Sequence, residues 1–321
     1  MYQRLTRRQL AQIAIAGTAG VALGTLANKT FAQQPNLAIV GVSSGALDST
    51  DAAAVPEVDS TEEDSTEIDS TTIARTRAAS TNRRLNLQSL DVGTGQVQNL
   101  TTQALERIDT SIVEIGERIS DLTSLADGTI VGVINTISSS NRGARPTRLT
   151  FLGNSPTTVT VSGLNRNEVL ENVLVLNDGS AIGLVARRRG ARLVDIVNID
   201  LKTGEISNNN DFILPVNVRY SNLAQCPDGK IYTTSVGREG DTYLVLLDAG
   251  QRRPTTVAQL RLNNGTVWNN GLFSLTCSSA GQLLALGAFW HETTKSVYNV
   301  NAQTGEMTRL SAFNGARITA V

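Results

Sequence analysis

Five polar residues of this chain recur at near-equal steps: Asp121, Asn172, Asn222, Ser274 and Arg317. The first three steps are 51, 50 and 52 residues (172−121, 222−172, 274−222). The residue after each of them is aliphatic: Leu122, Val173, Leu223, Leu275 and Ile318. A carboxylate, two amides, a hydroxyl and a guanidinium at matching positions can bind a small ligand or an ion, and Asp121 and Arg317 can pair. An ion pair or ordered water that only fastens the fold is the other reading. Trp268 and Trp290 can stack on a sugar or a peptide, or pack on their own unit. His291, the single histidine, stands beside Glu292. It can serve as a general base, but no serine or cysteine motif accompanies it, so no catalytic residue is assigned.

A fixed step near 50 residues with short β runs signals a solenoid, propeller or array. Tight turns mark the same point in each unit: Asp127-Gly128, Asp178-Gly179, Asp228-Gly229 and Ala280-Gly281. A second turn recurs as Lys-Thr-Gly-Glu at 202–205 and Gln-Thr-Gly-Glu at 303–306. Glycine supplies the positive φ that such hairpins need. The predicted strands of the four full units are 119–125, 129–134, 147–152 and 157–162; 171–176, 180–186, 192–199 and 205–207; 221–226, 230–235, 242–247 and 255–260; and 273–278, 282–288, 296–300 and 306–310. The first unit has strands at 37–42, 85–91 and 96–101 and lacks its first strand, since Ile39-Val40-Gly41-Val42 matches Ile130-Val131-Gly132-Val133. The last residues, 315–321, match a first strand. Residues 103–118 carry partial helical spacing at Leu105, Ile108, Ile112 and Ile115.

This pattern resembles β-propeller proteins of a generic YVTN or kelch-like kind, in which four-stranded blades ring a channel. The resemblance covers residues 36–321 and carries no family-specific signature. It implies an all-β, five-bladed propeller whose first blade is completed by the C-terminal strand. It places the five polar residues at the channel mouth. The tight glycine turns then lie on one face. The longer loops lie on the other, with Arg142, Arg145, Arg187-Arg188-Arg189, Arg238, Trp268, Trp290 and His291.

The flanking segments read differently. Residues 1–32 have a basic start, Thr6-Arg7-Arg8-Gln9-Leu10, before an Ala/Gly-rich apolar run. This layout resembles a twin-arginine export signal and leaves 33–321 as the exported propeller, in the periplasm, outside the cell or in an equivalent lumen. Residues 45–83 include nine acids and almost no large apolar side chains. They are expected as a disordered acidic insertion, either a solvated spacer or a cover for the basic loop face. Cys226 and Cys277 are aligned one position apart on neighbouring units, which puts their side chains on opposite strand faces. Two buried free thiols are expected, with a disulfide permitted in an oxidising compartment.

Outside residues 1–32 and 46–70, 24 basic and 20 acidic residues remain (28−4, 29−9), too even a balance for nucleic acid. One histidine and two cysteines leave no metal centre or cofactor in the reading. The expected protein is monomeric, meets the membrane only during export, and binds a protein or glycan partner through its loop face without catalysis. The alternative is an enzyme of the glycoside hydrolase or lyase type. It would need two carboxyl groups about 5–10 Å apart, and the aligned ring offers only Asp121.

Overall fold

The computed structural model describes residues 37–45, 84–91, 96–99, 117–136, 146–152, 157–187, 194–216, 218–289, 292–313 and 315–320. No helix occurs among the described residues. The expected signal (1–32), the acidic insertion from residue 46 to 83, and Trp290 and His291 lie outside them. So do 103–116 of the expected helix. Its last two residues, Glu117 and Arg118, open a strand instead.

The strands form five sheets. The first sheet holds β1 (Leu37–Gly45), β2 (Arg84–Asp91) and β3 (Val97–Asn99). The second holds β4 (Glu117–Ser124), β5 (Ile130–Thr136), β6 (Arg148–Leu152) and β7 (Thr157–Thr160). The third holds β8 (Glu168–Val175), β9 (Ala181–Arg187), β10 (Val194–Ile199) and β11 (Ile206–Asn208). The fourth holds β12 (Arg219–Gln225), β13 (Ile231–Val236), β14 (Thr242–Asp248) and β15 (Arg253–Gln259). After the short β16 (Arg261–Leu262), the fifth holds β17 (Ser274–Cys277), β18 (Leu283–Gly287), β19 (Ser296–Val300) and β20 (Glu306–Ala312). The last strand, β21 (Arg317–Ala320), pairs antiparallel with β1, Ile39 opposite Ala320 and Val42 opposite Arg317. The sheets are the meandering four-stranded units of a β-propeller, and their first strands β4, β8, β12, β17 and β21 touch one another in that order, with β21 touching β4.

The core lies between sheets. Middle strands such as β5 and β9 are buried along nearly their whole length, which is why they read as continuous apolar runs. Val131, Val133 and Leu149 of the second sheet pack on Leu170, Val173 and Val197 of the third. Leu184, Val194 and Ile196 of the third face Leu223, Val245 and Leu247 of the fourth, with Phe212 between them. Fully burying each such side chain contributes about 1.5–3 kcal/mol.

Three contacts at the outer edge hook the second, third and fourth sheets each onto the next. The Ser162 N–H donates to the Gly204 carbonyl (2.9 Å), Ile213 to Arg252 (2.8 Å), and Arg261 to Gly305 (3.0 Å). The acceptors all have positive φ: 74° at Gly204, 56° at Arg252 and 72° at Gly305. At Gly305 a Cβ would also meet the Gln259 carbonyl oxygen at 2.5 Å. The recurring Thr-Gly-Glu turns therefore carry glycine for two reasons, a left-handed backbone and a neighbouring strand pressed against it. The parallel pairing of β16 with β20 extends one of these hooks and was not expected from the sequence.

The cysteines correct the expectation of free thiols. Cys226 and Cys277 form a disulfide, with Cα atoms 5.1 Å apart. Cys226 shares its strand face with Ala224, and Cys277 shares its face with Leu275, in one core layer between the fourth and fifth sheets. In a ring, the leading face of one sheet meets the trailing face of the next. Opposite strand faces are thus the ones that meet, and the sequence argument took them to diverge.

Candidate functional site

The five repeated polar residues are brought together, and each reaches forward to the next sheet. Asp121 Oδ2 accepts the Val173 N–H at 3.0 Å. Asn172 Oδ1 accepts the Asn222 N–H at 3.1 Å. Asn222 Nδ2 donates to the Leu272 carbonyl at 3.3 Å and to Thr234 Oγ1 at 3.0 Å. Ser274 Oγ accepts the Ile318 N–H at 3.2 Å. Arg317 Nε donates to the Ser120 carbonyl, and its Nη1 to the Ala316 carbonyl at 2.7 Å. Four of the five are buried and Arg317 is half-buried. Their hydrogen-bonding capacity goes to backbone groups that no ladder partner satisfies. Thr123 and Thr276, two residues on, repeat the device with the N–H groups of Val175 and Ala320.

Bulges aim these side chains. The inner strands shift register between Ile119 and Asp121, between Leu170 and Asn172, and between Ser221 and Leu223. The extra residues are Ser120, Glu171 and Asn222. In β12 the bulge lies one residue nearer the turn, so Asn222 itself takes a φ of 63°. This explains why its own N–H, rather than that of the following residue, is the one donated to the preceding sheet. Bulges redirect a strand locally.

The electrostatics centre on Asp121 and Arg317. Burial pushes the Asp121 carboxyl up from 3.8 to about 7, against the opposing pull of the Val173 N–H, the Arg317 charge and the Asn172 side chain. Burial lowers the Arg317 pKa, the charge of Arg118 adds to that, and Asp121 and Glu171 oppose it. Glu171, the extra residue of the β8 bulge, is half-buried. Lys295 lies over the Phe273 ring at 4.3 Å and donates from Nζ to the Gly315 carbonyl at 3.0 Å. Its pKa is lowered by burial and then by Arg317. Arg118, Glu171 and Lys295 were not singled out by the repeat. Arg118 fell within the expected helix, and a bulge carries no residue signature that would have marked Glu171.

Trp268 was expected either to stack on a ligand or to pack on its own unit. It packs: it is fully buried, with ring centroids 5.2 Å from Tyr298 and 5.7 Å from Phe289. Its indole N–H donates to the Gly271 carbonyl at 2.6 Å. The ring fills the space beside Gly287, where a Cβ would meet it at 2.5 Å. Glu292, expected beside a histidine base, pairs with Arg309 at 3.7 Å. Among the described residues no group of three His, Cys, Asp or Glu is placed to hold a metal ion.

No family model matches this chain, and no curated protein matches it. Among solved structures it is similar to an oligogalacturonate lyase in complex with manganese (13% identity, covering 71% of this chain and 59% of that one, TM-score 0.39). It is also similar to a gluconolactonase from Xanthomonas campestris (11% identity, 72% and 73%, TM-score 0.40). A third is the PQQ-bound form of an aldose sugar dehydrogenase from Streptomyces coelicolor (13% identity, 72% and 75%, TM-score 0.37). The match spans less than two thirds of the lyase. At these similarities none of the three bears on what the chain does.

Proposed function

We propose that the protein is an exported five-bladed propeller, its first blade completed by β21, that binds a protein or glycan partner through its loop-rich face without transforming it. The observation that carries this reading is that Arg317 and Lys295 sit side by side at the end opposite the Asp-Gly turns, donating to the adjacent Ala316 and Gly315 carbonyls. The ring residues beside them are spent on backbone groups of neighbouring sheets, so what this end offers a partner is mainly charge. The disulfide between adjacent sheets supports an oxidising compartment, and with it export. Hydrogen exchange of the full chain with candidate glycans and proteins tests the reading: a true partner protects amides of the loop-face segments 209–216 and 292–295. Protection confined to the Asp-Gly turns would refute it.

A second reading, a glycoside-cleaving enzyme, is favoured by one observation: Asp121 and Glu171 both act on Arg317, and the Asp121 carboxyl sits near 7, where a general acid works. Turnover of a glycan panel that disappears in both Asp121→Asn and Glu171→Gln would establish it over simple binding.

A further inference from the structure

We propose that Asn264 is a site of spontaneous deamidation, in which the backbone nitrogen of Gly265 displaces the side-chain amide, and that Asn270 in the neighbouring Asn-Gly pair is protected from the same reaction. This inference is independent of the binding reading above.

The reaction needs an unhindered nitrogen after the asparagine, which is why Asn-Gly is the susceptible pair. The chain holds three such pairs, Asn264-Gly265, Asn270-Gly271 and Asn314-Gly315. Asn314 lies outside the described residues. Asn264 and Gly265 form the exposed tip of the hairpin that begins with β16, in which Arg261 bridges Val267. A Cβ at Gly265 would meet nothing within 4 Å. Asn264 Oδ1 accepts the Thr266 N–H at 3.0 Å. That bond folds the side-chain carbonyl back along the Gly265 peptide and draws electron density from Cγ. Among the described residues no partner holds the departing Nδ2. One bond opposes attack: the Gly265 N–H donates to the Leu262 carbonyl at 2.8 Å. It sits at a solvent-exposed loop tip, where local opening costs little.

Asn270 differs at both reacting atoms. Its Nδ2 donates to the Ala288 carbonyl at 2.9 Å, and the Gly271 N–H donates to Thr242 Oγ1 at 3.0 Å. The Gly271 carbonyl in turn accepts the indole N–H of the fully buried Trp268 at 2.6 Å. Freeing this pair disturbs the core, and freeing Gly265 does not.

Attack expels ammonia, which carries off the proton of the Gly265 nitrogen, and leaves a cyclic succinimide. Water then opens the ring at one of its two carbonyl carbons. Breaking the Cγ–N bond leaves aspartate. Breaking the bond between the main-chain carbonyl carbon and the nitrogen leaves isoaspartate, with one extra carbon in the main chain. The turn already accommodates aspartate. Residues 125–129, 176–180 and 226–230 close with the same two backbone bonds as 262–266. There Asp127, Asp178 and Asp228 accept the N–H two residues on at 2.9, 2.9 and 3.1 Å. Isoaspartate cannot keep that pairing. It therefore loosens the bonds from Arg261 to the Gly305 carbonyl (3.0 Å) and from Asn263 to the Met307 carbonyl (3.2 Å), and with them the hook between the fourth and fifth sheets.

The test ages the full chain in mildly alkaline buffer, folded and in urea. Mass spectrometry with fragmentation then localises each converted residue and separates aspartate from isoaspartate. In urea both asparagines convert at similar rates. In the folded chain Asn264 converts and Asn270 lags by roughly fivefold or more, the factor for one extra hydrogen bond that has to open. Asn264→Gln, whose longer side chain closes a ring slowly, removes the signal at 264 and leaves that at 270 unchanged. Folded-state conversion at 270 that matches 264 overturns the proposal, and so does a folded chain that converts at neither. Hydrogen exchange reads the consequence. Asn264→Asp keeps the protection of the Arg261 and Asn263 amides, and the isoaspartate fraction loses it; protection kept in that fraction overturns the loosening.

Discussion

The carboxylate of Asp121 in the second sheet accepts the backbone N–H of Val173 in the third, at 3.0 Å in a buried setting. This single bond joins two sheets and puts a titratable group where water cannot solvate its charge. The folded chain holds its proton up to about 7, against 3.8 ordinarily. The group's contribution to stability is therefore full below about pH 4 and is lost as pH rises through 7. Asn, which the third sheet already carries at the matching position 172, keeps an oxygen acceptor and removes the charge. Asp121→Asn should gain stability relative to the wild type between pH 4 and pH 8, by up to ~4 kcal/mol. Urea midpoints of both proteins at the two pH values check it; a difference that stays constant with pH refutes the account.

The disulfide spans 51 residues. Closing a loop of that size in the unfolded chain corresponds to about 4 kcal/mol in the chain-entropy account. Thermal melting of the full chain with and without reductant should differ accordingly, and the double substitution Cys226→Ala with Cys277→Ala should match the reduced wild type and no longer respond to reductant. Equal melting under both conditions refutes it.

Gly305 and Arg252 occupy the same place in successive hooks, and substitutions at the two should behave oppositely. Gly305→Ala forces a Cβ onto the Gln259 carbonyl at positive φ and should destabilise by about 2–3 kcal/mol. Arg252→Gly relieves about 1 kcal/mol of left-handed strain. It also loses the guanidinium bonds to the Asn210 carbonyl, which are exposed and weak. The net change should lie within about 1 kcal/mol of zero. Chemical denaturation of both variants distinguishes them.

Trp268 predicts a stability effect rather than a binding effect. Trp268→Ala should cost about 3–5 kcal/mol through the lost contacts with Tyr298 and Phe289. Trp268→Phe keeps part of the packing, leaves the Gly271 carbonyl without its indole donor, and should cost about 1–2 kcal/mol.

Much of the framework was legible because glycine turns recur and turns set strand register. The Asp-Gly positions put the edges of nearly every described strand within three residues of where they lie. The alignment also found all five inner-strand polar residues, since a side chain repeated at one register serves one purpose. What stayed hidden depends on relations between sheets. The bulges at Ser120, Glu171 and Asn222 carry no common residue type. The facing of Cys226 and Cys277 follows from which side of one sheet meets which side of the next. Trp268 lies in a loop by sequence and in the core by packing, because Gly287 leaves room for its ring.

Most of the inter-sheet fasteners share a direction. At the centre, Asp121, Asn172, Asn222, Ser274 and Arg317 all reach to the following sheet. At the rim, Ser162, Ile213 and Arg261 do the same. Ser124 and Gln225 reach the other way, to the Ala320 carbonyl and the Asn177 N–H of the preceding sheets. The sheets therefore overlap as roof tiles do, with a few ties turned back, so a lesion in one tile loosens chiefly the seam ahead of it.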